Sequence, residues 1–529
     1  MSCANTVSSI SKKHFVRLAP RQSCKIPSTD PRPDSQALTL LTSLLTSGNS
    51  SNHLSAAFVP PSQHLALAAT LAVHPSLTIR ARSADLLQAA NLALRYLRLV
   101  HQHVGPVNAN FREAFAFTSA ETSSRRGGSA RRRAGEGASP VAQDAENVNT
   151  DLASIESLWA RAEDFWHVVG WAFNCSVVNK RRWERWRVWL EYMLQVLEDD
   201  WNLRRNMADV ENDDRREDPR EESLIVQYLG PDGARTGKER RVVRAVFADG
   251  SPRALSEFKE IWRHETRERK PDSAATKKLE TKVNVDEDIY GDYLKDDDSS
   301  DLEDAPSGTS PPSTPSSPSR TPTLPSGASP LGGPVALNLR LRLLSLLSTV
   351  SATLPSTSTP ITTLYDLYLT QIRPLPLPSF SVLLSPTSLR HFAPSAASSL
   401  TQYILRSLIS SAAPLPAKDD LTQEVLEQSY LPYAAHTSAV ADNAKVGVCV
   451  EALVRLWNVH IGLLWSEGLR GAVEAGIEAR EERAKTGGRG RRKGSEGQGG
   501  GGGGGDEDRV WLRLSAERLR GLVEMVRPP

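Results

Sequence analysis

Trp159, Trp166, Trp171, Trp183, Trp186, Trp189 and Trp201 lie in one stretch and account for seven of the eleven tryptophans in a chain of 529 residues. A buried side chain of this size removes roughly 150–250 Å² from water, which at about 25 cal/mol per Å² is several kcal/mol before entropy is subtracted. Any fold of this chain must find these rings an interior. Apolar residues around them recur in steps of three and four: Leu158, Ala162, Phe165 and Val169, then Trp186, Leu190, Met193, Leu197 and Trp201. Such spacing puts each set on one helix face. It predicts a helical hairpin with Asp151 capping the first helix. The turn or kink is expected at Asn174-Cys175-Ser176, and the second helix from near Asn179 past Trp201.

Arginines interleave with the rings. Lys180-Arg181-Arg182, Arg185 and Arg187 surround Trp183, Trp186 and Trp189, and Arg181, Glu184 and Arg185 are expected to face away from the Trp186–Leu190–Met193 stripe. Three readings of the stretch stand side by side. It is a core held by tryptophan, a partner-protein surface built from the residue types enriched at hot spots, or a nucleic-acid surface with phosphates on arginines and bases on indoles. The partner-binding candidates here are Arg181, Trp183 and Arg185. Glu198, Asp199 and Asp200 work against a long basic groove.

The rest of the chain alternates between helical pattern and low complexity. Its 39% hydrophobic content supports a core, and its net charge of only +2 hides separate basic and acidic runs. Residues 1–34 read as a disordered basic tail. Residues 35–118 read as helical, with helices over Leu38–Leu45, His64–Val73 and Thr78–Val104; the last has an expected apolar face of Ala84, Leu87, Asn91, Leu94 and Leu97. Residues 119–149 form a basic loop and 150–270 the Trp-rich helical region. In the latter, 223–229 and 240–247 are too brief to assign as helix or strand. Pro252 marks the first turn of a helix running to about Arg269.

Residues 271–333 are an acidic, then Ser/Pro-rich linker, and 334–485 a second helical region. The latter contains a polyproline-II connector over Arg373–Pro378, a helix over Leu421–Leu431 and a long helix from Ala439 to Leu464 continuing through Glu467. Residues 486–508 read as a Gly/Arg-rich loop, and 509–529 as a terminal amphipathic helix docking through Val510, Leu514, Leu519, Leu522 and Val526. Together these predict an all-α protein: an irregular helical bundle or α-solenoid-like body in two helical regions, with long disordered linkers and tails. No clean internal period of 34 to 47 residues supports a named repeat.

Short motifs lie between the helical regions. Arg125, Arg126, Arg131, Arg132 and Arg133, and again Arg489, Arg491, Arg492 and Lys493, read as nuclear-import tracts, with solvated loops or nucleic-acid contact as the alternatives. Asp286 to Asp304 holds ten acids in nineteen residues and embeds Ile289, Tyr290, Tyr293 and Leu294. Charge keeps such aromatics exposed for a basic, histone-like partner or for this chain's own basic surface. Ser310, Thr314, Ser317, Thr321 and Ser329 each precede proline, and Ser317-Pro318-Ser319-Arg320 has the form of a cyclin-dependent-kinase site. Phosphates there would add charge beside an acidic run.

Cys3, Cys24, Cys175 and Cys449 form no CxxC pair, which argues against a disulfide framework or a zinc site and fits a reducing compartment. No run of about 18 uninterrupted apolar residues and no secretory signal is found. The N-terminal Lys12, Lys13, Arg17, Arg21 and Lys25 leave a mitochondrial import signal as an alternative to a basic tail. There is no HExxH, GxSxG, Walker A or GxGxxG in its required setting, and the seven-glycine run lacks GK[ST]. His101 and His103 are expected at the surface near a helix end, and His167 in the core.

No catalytic residue, cofactor or metal site is assigned. The expectation is a non-catalytic nuclear scaffold or adaptor, regulated by phosphorylation through its acidic and Ser/Pro-rich linker, with the cytoplasm as the alternative location; a nucleic-acid-associated factor of chromatin or ribosome biogenesis is the alternative function and an enzyme third. Steep salt dependence of binding would separate the second from the first.

Overall fold

The computed structural model describes residues 32–50, 60–117, 148, 150–210, 218–230, 238–267, 331–416, 421–491 and 504–528. Most of these are helical, with no strand among them and only an isolated antiparallel bridge between Ile409 and Ala435. The protein is therefore all-α. Its longer helices are α1 (Arg32–Ser50), α2 (Ser62–Val73), α3 (Ala84–His103), α4 (Phe165–Val178), α5 (Lys180–Val210), α6 (Leu224–Leu229), α7 (Lys238–Val246), α8 (Pro252–Glu257), α9 (Pro334–Thr353), α10 (Ile361–Ile372), α11 (Leu377–Leu383), α12 (Pro394–Leu408), α13 (Val440–His460), α14 (Glu467–Arg491) and α15 (Gly504–Met525).

Packing largely follows chain order. In the N-terminal half α1 and α2 pack on α3, α4 and α6 on α5, and α7 on α4. In the C-terminal half α10 packs on α9, and α12, α14 and α15 pack on α13. The halves join where α9 meets α5 and α7 meets α9 and α10. One hydrophobic core runs continuously from Leu38 to Val523, so the two helical regions form a single body. At the join, Arg342 pairs with Glu198 and Thr357 donates to Glu221 at 2.6 Å. Gly332, at φ +76°, brings the chain so close to α4 that a Cβ there would lie 2.5 Å from the Ser176 hydroxyl. Helix α9 is long and apolar enough by composition to span a membrane, but most of it is buried inside this body.

Several local expectations change. The tryptophan stretch turns at the single residue Asn179, because Asn174 and Ser176 sit inside α4. Asn179 Oδ1 accepts from Arg182 N at 2.9 Å and so caps α5. Asp151 starts only a one-turn 3₁₀ segment, and Asp164 caps α4 by accepting from His167 N. Helix α1 starts at Arg32, inside the stretch read as tail, and runs past Leu45 to Ser50.

Helix α3 begins at Ala84 rather than Thr78, and its buried face is Ala89, Ala90, Ala93, Leu94, Tyr96, Leu97 and Val100, which leaves Leu87 and Asn91 outside. Segments 223–229 and 240–247 are helical, as α6 and α7. Helix α8 does start with Pro252 in its first turn, capped by Ser251 Oγ, but it ends at Glu257.

In the C-terminal half the proline connector is short, since Leu377 and Pro378 open α11. Residues Leu426–Tyr430 form a π-helical turn rather than an α-helix. The long helix divides: α13 ends at His460, Gly462 takes φ +100°, and Ser466 Oγ caps the next helix by accepting from Leu469 N. Helix α14 reaches Arg491, into the stretch read as loop. Helix α15 docks through Leu512, Ser515, Ala516, Leu519, Leu522 and Val523, which leaves Val510 exposed.

Candidate functional site

The corner at Asn179 gathers the chain's most unusual chemistry. One helical turn back from Trp186 on its buried stripe sits Arg182, with no exposed surface. Its Nε and Nη2 donate to Glu265 Oε2 at 3.1 and 2.7 Å, and Nη1 reaches Thr78 Oγ1 at 3.4 Å. Glu265 is equally buried, and its Oε1 accepts from Ile261 N. Burial raises the Glu265 carboxyl above the usual carboxylate range, and the Arg182 guanidinium opposes that rise.

The guanidinium lies 4.7 Å from the Trp186 ring centroid and 5.8 Å from that of Trp262, which stack on each other at 6.0 Å. A buried cation is thus held by one carboxylate, a hydroxyl and two indole faces.

Around this centre polar groups tie loops to helices. Asn174 donates to Ala254 O and Phe258 O and accepts from Gly250 N. His167, buried in α4, accepts from Glu163 N at Nδ1 and lies 2.9 Å from Lys259 O at Nε2, so the ring bridges two backbone groups. Phe258 covers Gly170, where a Cβ would sit 2.3 Å from the ring. Trp159, Trp166 and Trp262 donate their indole N–H groups to Ala66 O, Tyr228 O and Glu156 O.

His74 packs edge-on to Trp262 at 5.0 Å. Burial lowers its pKa to about 4, with Glu156 acting to raise it and Arg182 to lower it further. His101 is buried rather than at the surface, 3.1 Å from Asp199 and against Tyr192 and Phe111, whereas His103 is exposed.

The proposed contact residues of this stretch are separated by the fold. Arg181 is exposed and lines a small open cleft of about 50 Å³ with Ile79, Asn179, Thr266 and Arg267. Trp183 is buried against Phe173. Arg185 is half-buried: it donates to Ala72 O and to Asn91 Oδ1, both at 2.6 Å, and burial beside Arg182 lowers its pKa to about 10. Only Arg181 of the three faces solvent broadly.

Tyr290, Tyr293 and Leu294, the tract from Arg125 to Arg133, Arg492 and Lys493, and Ser310, Thr314, Ser317, Thr321 and Ser329 lie outside the described residues. Arg489 and Arg491 belong to the last turns of α14, and their side chains lie outside the described residues.

Among the described residues no group of three or more His, Cys, Asp or Glu is placed to hold a metal ion. Cys175 and Cys449 are buried thiols, and burial raises both pKa values. The fold and this corner define an all-α protein with a cation buried in a tryptophan layer. Comparison with protein-family models, curated proteins and solved structures finds no match.

Proposed function

We propose that this chain is a non-catalytic nuclear scaffold or adaptor whose contacts are made by segments held at both ends on one helical body. The observation that supports this is the anchoring of those segments. Phe117, before 118–147, packs edge-on to Trp159 at 5.0 Å, and Val148, after it, donates from its amide to Gln63. Arg267, before 268–330, lines the cleft at Asn179, and Leu331, after it, is buried. The first segment carries the Arg125–Arg133 import tract, and the second carries the acidic Tyr290–Tyr293 motif and the Ser/Thr-Pro sites. Tethering at both ends raises the local concentration of such motifs near the body.

The test is proximity labelling in cells with the tagged full chain beside two variants. In one, Arg131, Arg132, Arg133, Arg489, Arg491, Arg492 and Lys493 become alanine. In the other, Ile289, Tyr290, Tyr293 and Leu294 do. The expected result is a nuclear wild type, an import variant outside the nucleus, and a motif variant that loses a defined subset of neighbours. A wild type outside the nucleus, or a motif variant with unchanged neighbours, overturns the reading. A wild-type neighbour set that is lost as a block on nuclease treatment moves the assignment to nucleic-acid association.

A further inference from the structure

We propose that the acidic segment Asp286–Asp304 docks, within its own chain, on the cationic rim of the cleft at the start of α5. Arg181 and Arg267 line the cleft itself. Arg80 follows Ile79 of the lining, Lys180 lies between Asn179 and Arg181, and Arg263 stands one turn before Arg267; all three are exposed. On the two described segments that form the rim, 180–187 and 260–267, each acid already has a partner. Glu265 is buried on Arg182, Glu260 accepts from His264 N, and Glu184 pairs with Arg187 at 3.2 Å. The positive end of the 31-residue helix α5 adds to the same field. Ile79 gives the cleft an apolar element among these charges.

The segment matches this surface in charge and in tether. It holds ten acids and the single base Lys295, with Ile289, Tyr290, Tyr293 and Leu294 among them. The chain enters it from Arg267, which is itself on the rim, and Ile289 follows 22 residues later. Twenty-two residues span at most about 75 Å, and about 25 Å as a random coil. Contact between segment and rim therefore proceeds at an effective concentration on the order of millimolar, so even a weak charge-driven site is filled. The nearest competitor for the acids is the run Lys277, Lys278 and Lys282 inside the tether. The rim presents its cations from the start of α5 and from the 263–267 turn, which set them around one cleft. Occupied in this way, the motif is withheld from a partner until a stronger basic surface displaces it.

The test uses the full chain with a benzophenone photo-crosslinker in place of Tyr290, irradiated at ~0.05 M and ~0.5 M salt, where charge screening differs strongly. Cross-linked peptides are expected from residues 78–82, 179–182 and 263–267. Mixing isotopically light and heavy chains should show them to be within one chain. Their yield should fall several-fold at the higher salt and in the triple variant Arg80→Glu, Arg181→Glu, Arg267→Glu, which retains wild-type helicity because all three side chains are exposed. Changing Lys277, Lys278 and Lys282 to glutamine should leave the yield in place.

Cross-links confined to the 277–282 run, to another face or to a second copy overturn the proposal, as does a yield indifferent to the charge reversal. The inference rests on the scaffold reading only in taking the segment as a contact motif. Neighbours in cells that depend on the motif, together with a probe that cross-links elsewhere, would uphold that reading and sink this one.

Discussion

The two halves of this body bury an arginine in different ways. In the tryptophan half, Arg182 is neutralised by Glu265 and covered by Trp186 and Trp262. In the C-terminal half, Arg480 is also deeply buried but meets no carboxylate among the described residues. Its Nη1 donates to Leu431 O and Tyr433 O, both at 3.2 Å, at the end of the π-helical turn, and burial lowers its pKa to about 10. Arg340, at the join, follows the second pattern: it donates to Val246 O, at the last residue of α7, and to Ala248 O just beyond it, with its guanidinium 4.0 Å from the Phe173 ring centroid.

Carbonyls at a helix end carry partial negative charge and suit a cation. A full carboxylate makes a tighter lock but leaves a stranded charge when one partner is removed. Glycines allow close approach in both halves, at Gly170 against the Phe258 ring in the first and at Gly476 against the Leu431 carbonyl in the second.

The largest effect expected from this contrast is at Glu265. Glu265→Leu leaves Arg182 charged and buried without a counterion, a loss of about 3–5 kcal/mol. The double variant Arg182→Met, Glu265→Leu should recover most of it, because both charges are gone. Arg480→Met removes a costly buried cation and leaves two carbonyls unpaired, so its loss should be nearer 1–2 kcal/mol. Urea unfolding followed by tryptophan fluorescence and by helix content measures all three. Equal losses at Glu265 and Arg480 would erase the distinction between the halves.

Next in size is Gly476→Ala in α14. A Cβ there would lie 1.7 Å from the Leu431 carbonyl oxygen, which is backbone and cannot swing aside. Helix α14 must then move off the π-helical turn and loosen Arg480 from the same carbonyl. Overpacking of this kind costs about 3 kcal/mol, more than the helix propensity that alanine gains. Hydrogen exchange should localise the loss to 423–433 and α14, and a stability equal to or above wild type would refute the close approach.

Acid should separate the halves as well. Three of the four histidines that burial pushes down, His64, His74 and His101, lie in the N-terminal half, and His391 is the fourth among the described residues. His74, held to about 4 against an ordinary 6.5, binds fewer protons folded than unfolded between those values. Its contribution is complete above about pH 6.5, shrinks as pH falls, and is lost by about pH 4. The groups facing it are Glu156, Arg182, Arg161 and Arg80. Discounted for partial solvation, about 2 kcal/mol is at stake. His74→Gln should flatten the decline of the urea midpoint between pH 6.5 and 4. Parallel declines in wild type and variant would show that other groups carry it.

What the sequence made legible was what repeats. The Trp186–Leu190–Met193–Leu197–Trp201 stripe is buried as its spacing requires, and Ser251-Pro252 opens a helix. The same stripe extended one turn back lands on Arg182, so the buried arginine had a signal, masked by its place in a basic run. Glu265 had none, because its partner is 83 residues away and only the 261–267 turn brings them together. Asn174 looked like a turn residue, yet its amide is spent on Gly250, Ala254 and Phe258, and the break fell to Asn179. The faces of α3 and α15 were legible in part: Leu94, Leu97, Leu519 and Leu522 are buried as their spacing requires, but Ala89, Ala90 and Ala93 pack where Leu87 was expected, and Leu512, Ser515, Ala516 and Val523 pack where Val510 was.

The smallest prediction has the opposite sign and uses the same helix as a control. Gly471 lies in α14 five residues before Gly476, with an ordinary helical φ, an exposed surface and nothing within 4 Å of where a Cβ would stand. Alanine there restricts the unfolded chain and fits the folded one, so Gly471→Ala should stabilise by about 0.5–1 kcal/mol. The two glycines share a helix, so propensity alone would make both substitutions stabilising. Only the Leu431 carbonyl distinguishes them. A gain at Gly471 beside a loss at Gly476 therefore measures the packing of α14 on the π-helical turn. If Gly471→Ala also destabilised, the cost at Gly476 could no longer be assigned to that contact.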